Sequence, residues 1–109
     1  MSARLLRNLP LLKLLLKATP KQRRVILEAA ADELIVTLCE VALNVVHGNI
    51  PLSPQQYQKL KRKRNEIKIV ADKKVGVRRK RRLINQQGGF LLPLLSVAIP
   101  FITSLITSK

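Results

Sequence analysis

A chain of 109 residues with an aromatic content of 3% has room for one small domain with an aliphatic core. Its net charge of +15 repels other copies and attracts polyanions: nucleic acid, anionic lipid or acidic protein. The single cysteine, Cys39, excludes an internal disulfide and a cysteine-built metal site, and suits a reducing compartment.

The opening MSARLLRNLPLLKLLLKATP resembles a secretory signal in outline. Lys13, however, interrupts the apolar run, and Lys17 stands where small residues should precede cleavage. We read it as a leucine-rich basic segment over residues 1–18. Leu5, Leu9, Leu12 and Leu16 share one helical face, with Pro10 starting or kinking the helix. A second helix begins at TPKQ, where Thr19 caps, Pro20 takes the first helical position and Gln22 closes a capping box. In ADELIVTLCEVALNVVHGN, the residues Leu34, Ile35, Leu38, Cys39, Ala42, Val45 and Val46 recur at spacings of three and four. Asp32 and Glu33 suit the start of that helix, and Gly48 and Asn49 its end. Ser53, Pro54 and Gln56 repeat the capping box, and the helix they open runs into NEIKIVAD with a break near Arg64 or Asn65. VRRKRRLINQ is a short last helix or an extended arm. No strand pattern survives. The fold expected is all-α: a small domain of three to five short helices over residues 19–72, a basic arm over 73–89 with a Gly-Gly hinge, and an apolar tail over 90–109. Its core should draw on Val25, Ile26, Leu34, Ile35, Leu38, Cys39, Ala42, Leu43, Val46, Leu60, Ile67 and Val70.

Charge is segregated along the chain. Residues 1–24 hold seven Lys/Arg and no acid; residues 25–58 hold Glu28, Asp32, Glu33 and Glu40 and no Lys/Arg. Residues 59–82 hold thirteen Lys/Arg against Glu66 and Asp72, and Lys109 adds one more. The expected phosphate-binding residues are Lys59, Lys61, Arg62, Lys63, Arg64, Lys73, Lys74, Arg78, Arg79, Lys80, Arg81 and Arg82. Neutralising six to ten phosphates is binding without sequence reading, and it weakens steeply with salt. One tyrosine gives no aromatic platform for stacked bases. A nuclear import signal and adhesion to anionic lipid are the other readings of the same run. One histidine and one cysteine in an apolar helix, helix-surface carboxylates and no glycine-rich phosphate loop leave no catalytic constellation, so no enzyme, cofactor, metal or small-molecule substrate is expected.

The charge-free FLLPLLSVAIPFITSLIT, residues 90–107, would reach roughly 27 Å as a helix, just short of a hydrocarbon core of about 30 Å. Pro93 fits a first turn, whereas Pro100 is central. A membrane anchor, an interfacial segment and a tail folded onto the core all remain open. The candidate membrane or capsid contacts are Phe90, Leu91, Leu92, Leu94, Leu95, Ile99, Phe101, Ile102, Leu105 and Ile106.

RRKRRLINQQGGFLLPLLSVAIPFITSLI resembles the C-terminal part of the adenovirus core protein X, the precursor of the mu peptide. From about residue 10 onward, the chain resembles small proteins of Polinton (Maverick) elements and adintoviruses, most specifically in GNIPLSPQQ and GGFLLPLL. The resemblance implies a DNA-condensing core or minor virion protein, found in the virion and host nucleus, that meets capsid protein and a viral protease. It also implies Gln86, Gln87, Gly88, Gly89 and Phe90 as a maturation cleavage site, cut after Gly89; the residues alone favour a helix stop and hinge there. The rival expectation is a membrane-associated, tail-anchored protein whose basic domain is cytosolic.

Overall fold

The computed structural model describes residues 2–107. It is all-α: α1 (Ala3–Lys17), α2 (Pro20–Ala29), α3 (Asp32–Val46), α4 (Pro54–Lys61), α5 (Arg64–Ala71), α6 (Val77–Gln87) and α7 (Leu91–Thr107), with a 3-10 turn at Gly88–Phe90 before the last. There are thus seven α-helices among the described residues where three to five were expected; residues outside the expected 19–72 domain form three of them.

Local chemistry sets the boundaries. The hydroxyls of Thr19 and Ser53 accept from the Gln22 and Gln56 amides, and both glutamine side chains return the bond, so α2 and α4 open on complete capping boxes. α3 ends where Gly48 turns to φ 74°; the Gly48 amide then reaches the Val45 carbonyl at 3.1 Å, and the Asn49 amide the Asn44 carbonyl at 2.9 Å. This double closure satisfies the last carbonyls and favours a residue without Cβ at position 48. The expected break in the fourth helix falls at Arg62 and Lys63. It lets Leu60 of α4 face α7 while Ile67 and Val70 of α5 face α3.

α3 is the spine, covered by α1, α5, α6 and α7. Leu34, Ile35, Leu38, Cys39, Val41 and Ala42 are buried on it, and the buried Thr37 hydroxyl donates to the Glu33 carbonyl at 2.7 Å. Of the expected core, Leu60, Ile67 and Val70 are also buried, and Ile26 and Leu43 are partly covered. Val25 is the clear exception at 61% exposed, and Val46 is exposed too. α2 turns Arg23 and Leu27 inward instead, and α3 is ending at Val46 as the chain leaves the core.

α1 runs unbroken through Pro10. Pro10 and Leu6 both lie on the exposed side, so the carbonyl the ring leaves unpaired belongs to the turn facing water. Its buried face is Leu5, Asn8, Leu9, Leu12 and Leu15, with the Asn8 amide donating to the Arg4 carbonyl at 2.9 Å; Leu16 is only partly covered. Pro100 is likewise on the outer side of α7, with Ser96 one turn before it exposed as well.

Of the three readings left open for the apolar segment, the described residues take the one folded onto the core. Phe90, Leu91, Leu94, Leu95, Val97, Ala98, Ile99 and Ile102 lie in the same core cluster as α1, α3 and α5, with α7 packed on α1, α3 and α4. The Cα radius of gyration is 12.9 Å, and a single domain of about 100 residues has about 13 Å. Each large aliphatic side chain fully buried there is worth about 1.5–3 kcal/mol. The basic arm also folds: α6 packs on α2, α3 and α5. Ser108 and Lys109 lie outside the described residues.

Candidate nucleic-acid interface

The cations of residues 59–82 fall on three consecutive helices and their connections. α4 presents Lys59 and Lys61, and the turn presents Arg62 and Lys63. α5 presents Arg64 and Lys68, the following loop Lys73 and Lys74, and α6 Arg78, Arg79 and Arg82; all eleven are exposed. None of these side chains joins an ion pair among the described residues, where the two pairs are Arg7–Glu33 and Arg81–Asp32. The carboxylates nearest in sequence are diverted or few: Asp72 accepts from the Lys74 backbone amide at 2.9 Å, and Glu66 is partly covered. Exposed cations without internal partners keep their positive potential instead of cancelling it.

α6 shows why the run is not all surface. Its inward positions are Val77, Lys80, Arg81 and Ile84, a spacing of three and four that packs on α3 and α5. Two of the twelve expected phosphate-binding residues are thereby turned in. Lys80 is only 4% exposed and its ammonium lies 3.0 Å from the Cys39 thiol. Arg81 is partly covered, donating to the Leu27 carbonyl at 2.8 Å and to Asp32 at 2.9 Å, which ties α6 to α2 and to the start of α3. These two belong to the fold, and the other ten stand on the surface. Arg81 buries its stem while its guanidinium stays near the surface, as a long cationic side chain does on a helix with few aliphatic residues.

Two further groups went unread in the sequence. Lys68 lies one turn after Arg64 and is exposed beside it; the i, i+4 spacing was the available signal. Tyr57, 54% exposed, shares a cleft of about 280 Å³ with Lys61, Arg64 and Lys68, whose floor is Val45, Leu52 and Leu60. The ring and three cations come from α4 and α5, on either side of the break at Arg62–Lys63. Arg23 also carries positive charge inside: it is 6% exposed, one guanidinium nitrogen reaches the Ala18 carbonyl at 3.4 Å, and its Nε has no partner among the described residues.

The candidate cleavage residues sit at the α6–α7 junction. Gln86 and Gly89 are exposed, Gly88 is partly covered and Phe90 is fully buried. Gln87 closes α6, its side chain outside the described residues. A Cβ added at Gly88 or Gly89 would meet nothing within 4 Å, and neither has positive φ, so the fold does not require glycine at either position. The segment is helical, whereas a narrow protease groove takes an extended chain.

Of the candidate membrane or capsid residues, Phe90, Leu91, Leu94, Leu95, Ile99 and Ile102 are buried and Phe101 partly so. Leu92, Leu105 and Ile106 are exposed. Among the described residues, the stretch Gly88–Thr107 is long and apolar enough to cross a membrane by length and composition. No group of three or more His, Cys, Asp or Glu that could hold a metal occurs among the described residues. No protein-family model, curated protein or solved structure matches the chain.

Proposed function

We propose that the protein is a non-enzymatic, sequence-independent DNA-binding and condensing protein, a core or minor virion component of an adenovirus-like element. The observation that carries this reading is the set of eleven exposed cations on α4, α5, α6 and their connections, none of them ion-paired among the described residues. Phosphate neutralisation needs density and exposure of charge, with no base-specific geometry. The resemblance of RRKRRLINQQGGFLLPLL to the adenovirus core protein X supplies the biological setting. Localisation to virion and nucleus follows from that setting, as does processing after Gly89, which requires the 3-10 turn to open.

The test is a titration of the full chain with duplex DNA of unrelated sequences at several salt concentrations. Affinity indifferent to sequence and falling about 10³–10⁵-fold between 50 and 200 mM salt is the expected result for six to ten neutralised phosphates. Weak binding at low salt overturns the reading. The second reading, a membrane-active protein, is supported by the length and composition of Gly88–Thr107. It requires α7 to leave the core, so binding to anionic vesicles should then come with disappearance of the native thermal transition. Surface adhesion by the cations alone would leave that transition intact.

A further inference from the structure

The buried contact between α3 and α6 joins a thiol to an amine. Cys39 and Lys80 are each more than nine-tenths buried, and Nζ lies 3.0 Å from Sγ. No carboxylate reaches the Lys80 ammonium among the described residues, and the other polar neighbour of the sulfur is the Ala71 carbonyl at 3.8 Å. A buried cation ordinarily comes with an acid beside it, so an amine set against a lone thiol is a costly arrangement that packing alone does not explain. The pair is also reachable. Both residues line a cleft of about 420 Å³ between α3, α6 and the loop before α6, with Arg4, Glu40 and Lys73 among its other charged walls. The chain holds no second cysteine, so a sulfenic acid formed at Cys39 has no thiol of its own chain to condense with.

We infer that Cys39 and Lys80 form an oxidant-driven covalent link, a sulfenamide between α3 and α6. The oxidant is a two-electron peroxide small enough for the cleft. Peroxide takes the thiol to the sulfenic acid and leaves as water. Nζ of Lys80 gives up one proton to solvent and attacks sulfur, the S–N bond forms, the S–O bond breaks and a second water departs. In sum, one thiol, one amine and one hydrogen peroxide give one sulfenamide and two waters; sulfur loses the two electrons the peroxide gains. The link fastens the basic helix α6 to the spine whether or not the protein binds nucleic acid, and an external thiol reverses it.

The experiment treats the full folded chain with hydrogen peroxide near stoichiometry. The expected product is lighter by two hydrogens, its digest joins the peptide of Cys39 to that of Lys80, its melting temperature rises by several degrees, and dithiothreitol restores the starting mass. The same treatment in urea should give no joined peptide. Lys80→Arg keeps the charge and removes the nucleophile, so its Cys39 should stop at a dimedone-trappable sulfenic acid. If that variant fails to fold, the native chain is probed with ortho-phthalaldehyde, which needs an adjacent thiol and amine to form its fluorescent isoindole. With one cysteine present the thiol of the adduct is Cys39, and digestion must place its amine on Lys80 and not on Lys73, which lines the same cleft. Absence of isoindole overturns the proposal because the pair is then too far apart or out of reach. Dimedone capture or sulfinic acid at Cys39 of the folded native chain, without a joined peptide, also overturns it, as does an intermolecular disulfide as the sole product.

Discussion

α6 and α7 are neighbours separated by one 3-10 turn, and their compositions are opposites. α6 carries five cations in eleven residues, whereas α7 carries no charge in seventeen. Yet both obey the same period. Each presents a face to the core, α6 through Val77, Lys80, Arg81 and Ile84, and α7 through Leu91, Leu94, Leu95, Ala98 and Ile102. Composition therefore predicts what a segment attracts, whereas periodicity predicts which side it turns. The basic helix buries an ammonium, and the apolar helix lays its length against this chain's own core.

The sharpest way to break the comparison is to remove α7. If it were a separate device, a chain ending at Gly89 would stay folded. Because Phe90, Leu91, Leu94 and Ile99 are buried with α1 and α3, we expect that truncation to abolish the cooperative thermal transition. Leu94→Ala alone should cost about 2–5 kcal/mol by chemical denaturation. Ile106→Ala, on the exposed last turn, should stay within about 0.5 kcal/mol. Equal effects at Leu94 and Ile106 would contradict the packing described.

Next in size is the outward face of α6. Replacing Arg78, Arg79 and Arg82 by glutamine should leave the fold intact and reduce the salt slope of duplex binding by about 0.9 for each phosphate no longer neutralised. Arg81→Gln should leave that slope nearly unchanged and lower stability by about 1–3 kcal/mol, since it abandons the Leu27 carbonyl and Asp32. The split between slope and stability is the readout. An Arg81 variant with a shallower slope and unchanged stability would return that residue to the binding face.

The same contrast marks what could be read in the sequence. Signals that act within one turn were legible: the boxes at Thr19 and Ser53, the stop at Gly48 and the break before Arg64 all occur where expected or within two residues. The all-α class followed from them. What failed depended on partners distant in sequence. Lys80 turns inward because Cys39 lies opposite, a separation of 41 residues, and Arg81 because Leu27 does, at 54. Leu15 is buried more fully than Leu16 where α1 packs on α3 and α7, and α7 is core because α1 leaves a leucine face for it to cover. Of the candidate site, ten of twelve cations are on the surface, since a dense basic run has few ways to hide.

A smaller effect tests the junction between the two helices. Neither Gly88 nor Gly89 needs the freedom of glycine, and both have open space where a Cβ would go. Gly88→Ala and Gly89→Ala should each stabilise the chain by about 0.4–1 kcal/mol, chiefly by restricting the unfolded state. A thermal melt measures it. Destabilisation by either would mean that the junction uses a backbone conformation other than the helical one described.

The smallest effect concerns the start of α3, where α1 as well as α6 supplies a cation. The Arg7 guanidinium hydrogen-bonds Glu33 and holds its carboxyl below the ordinary value, aided by the charges of Arg7 and Arg4 and by Asn8. A carboxyl whose folded pKa is depressed contributes stability above its unfolded pKa and loses it as pH falls through the folded value. Both groups are exposed, so the contribution is slight and screened by salt. A carbon-detected titration of Glu33 should therefore place it below a free glutamate, and Arg7→Gln should move it back up with little change in melting temperature. No movement in that variant would assign the depression to the helix start, where Asp32 and Glu33 already face the positive end of the α3 dipole.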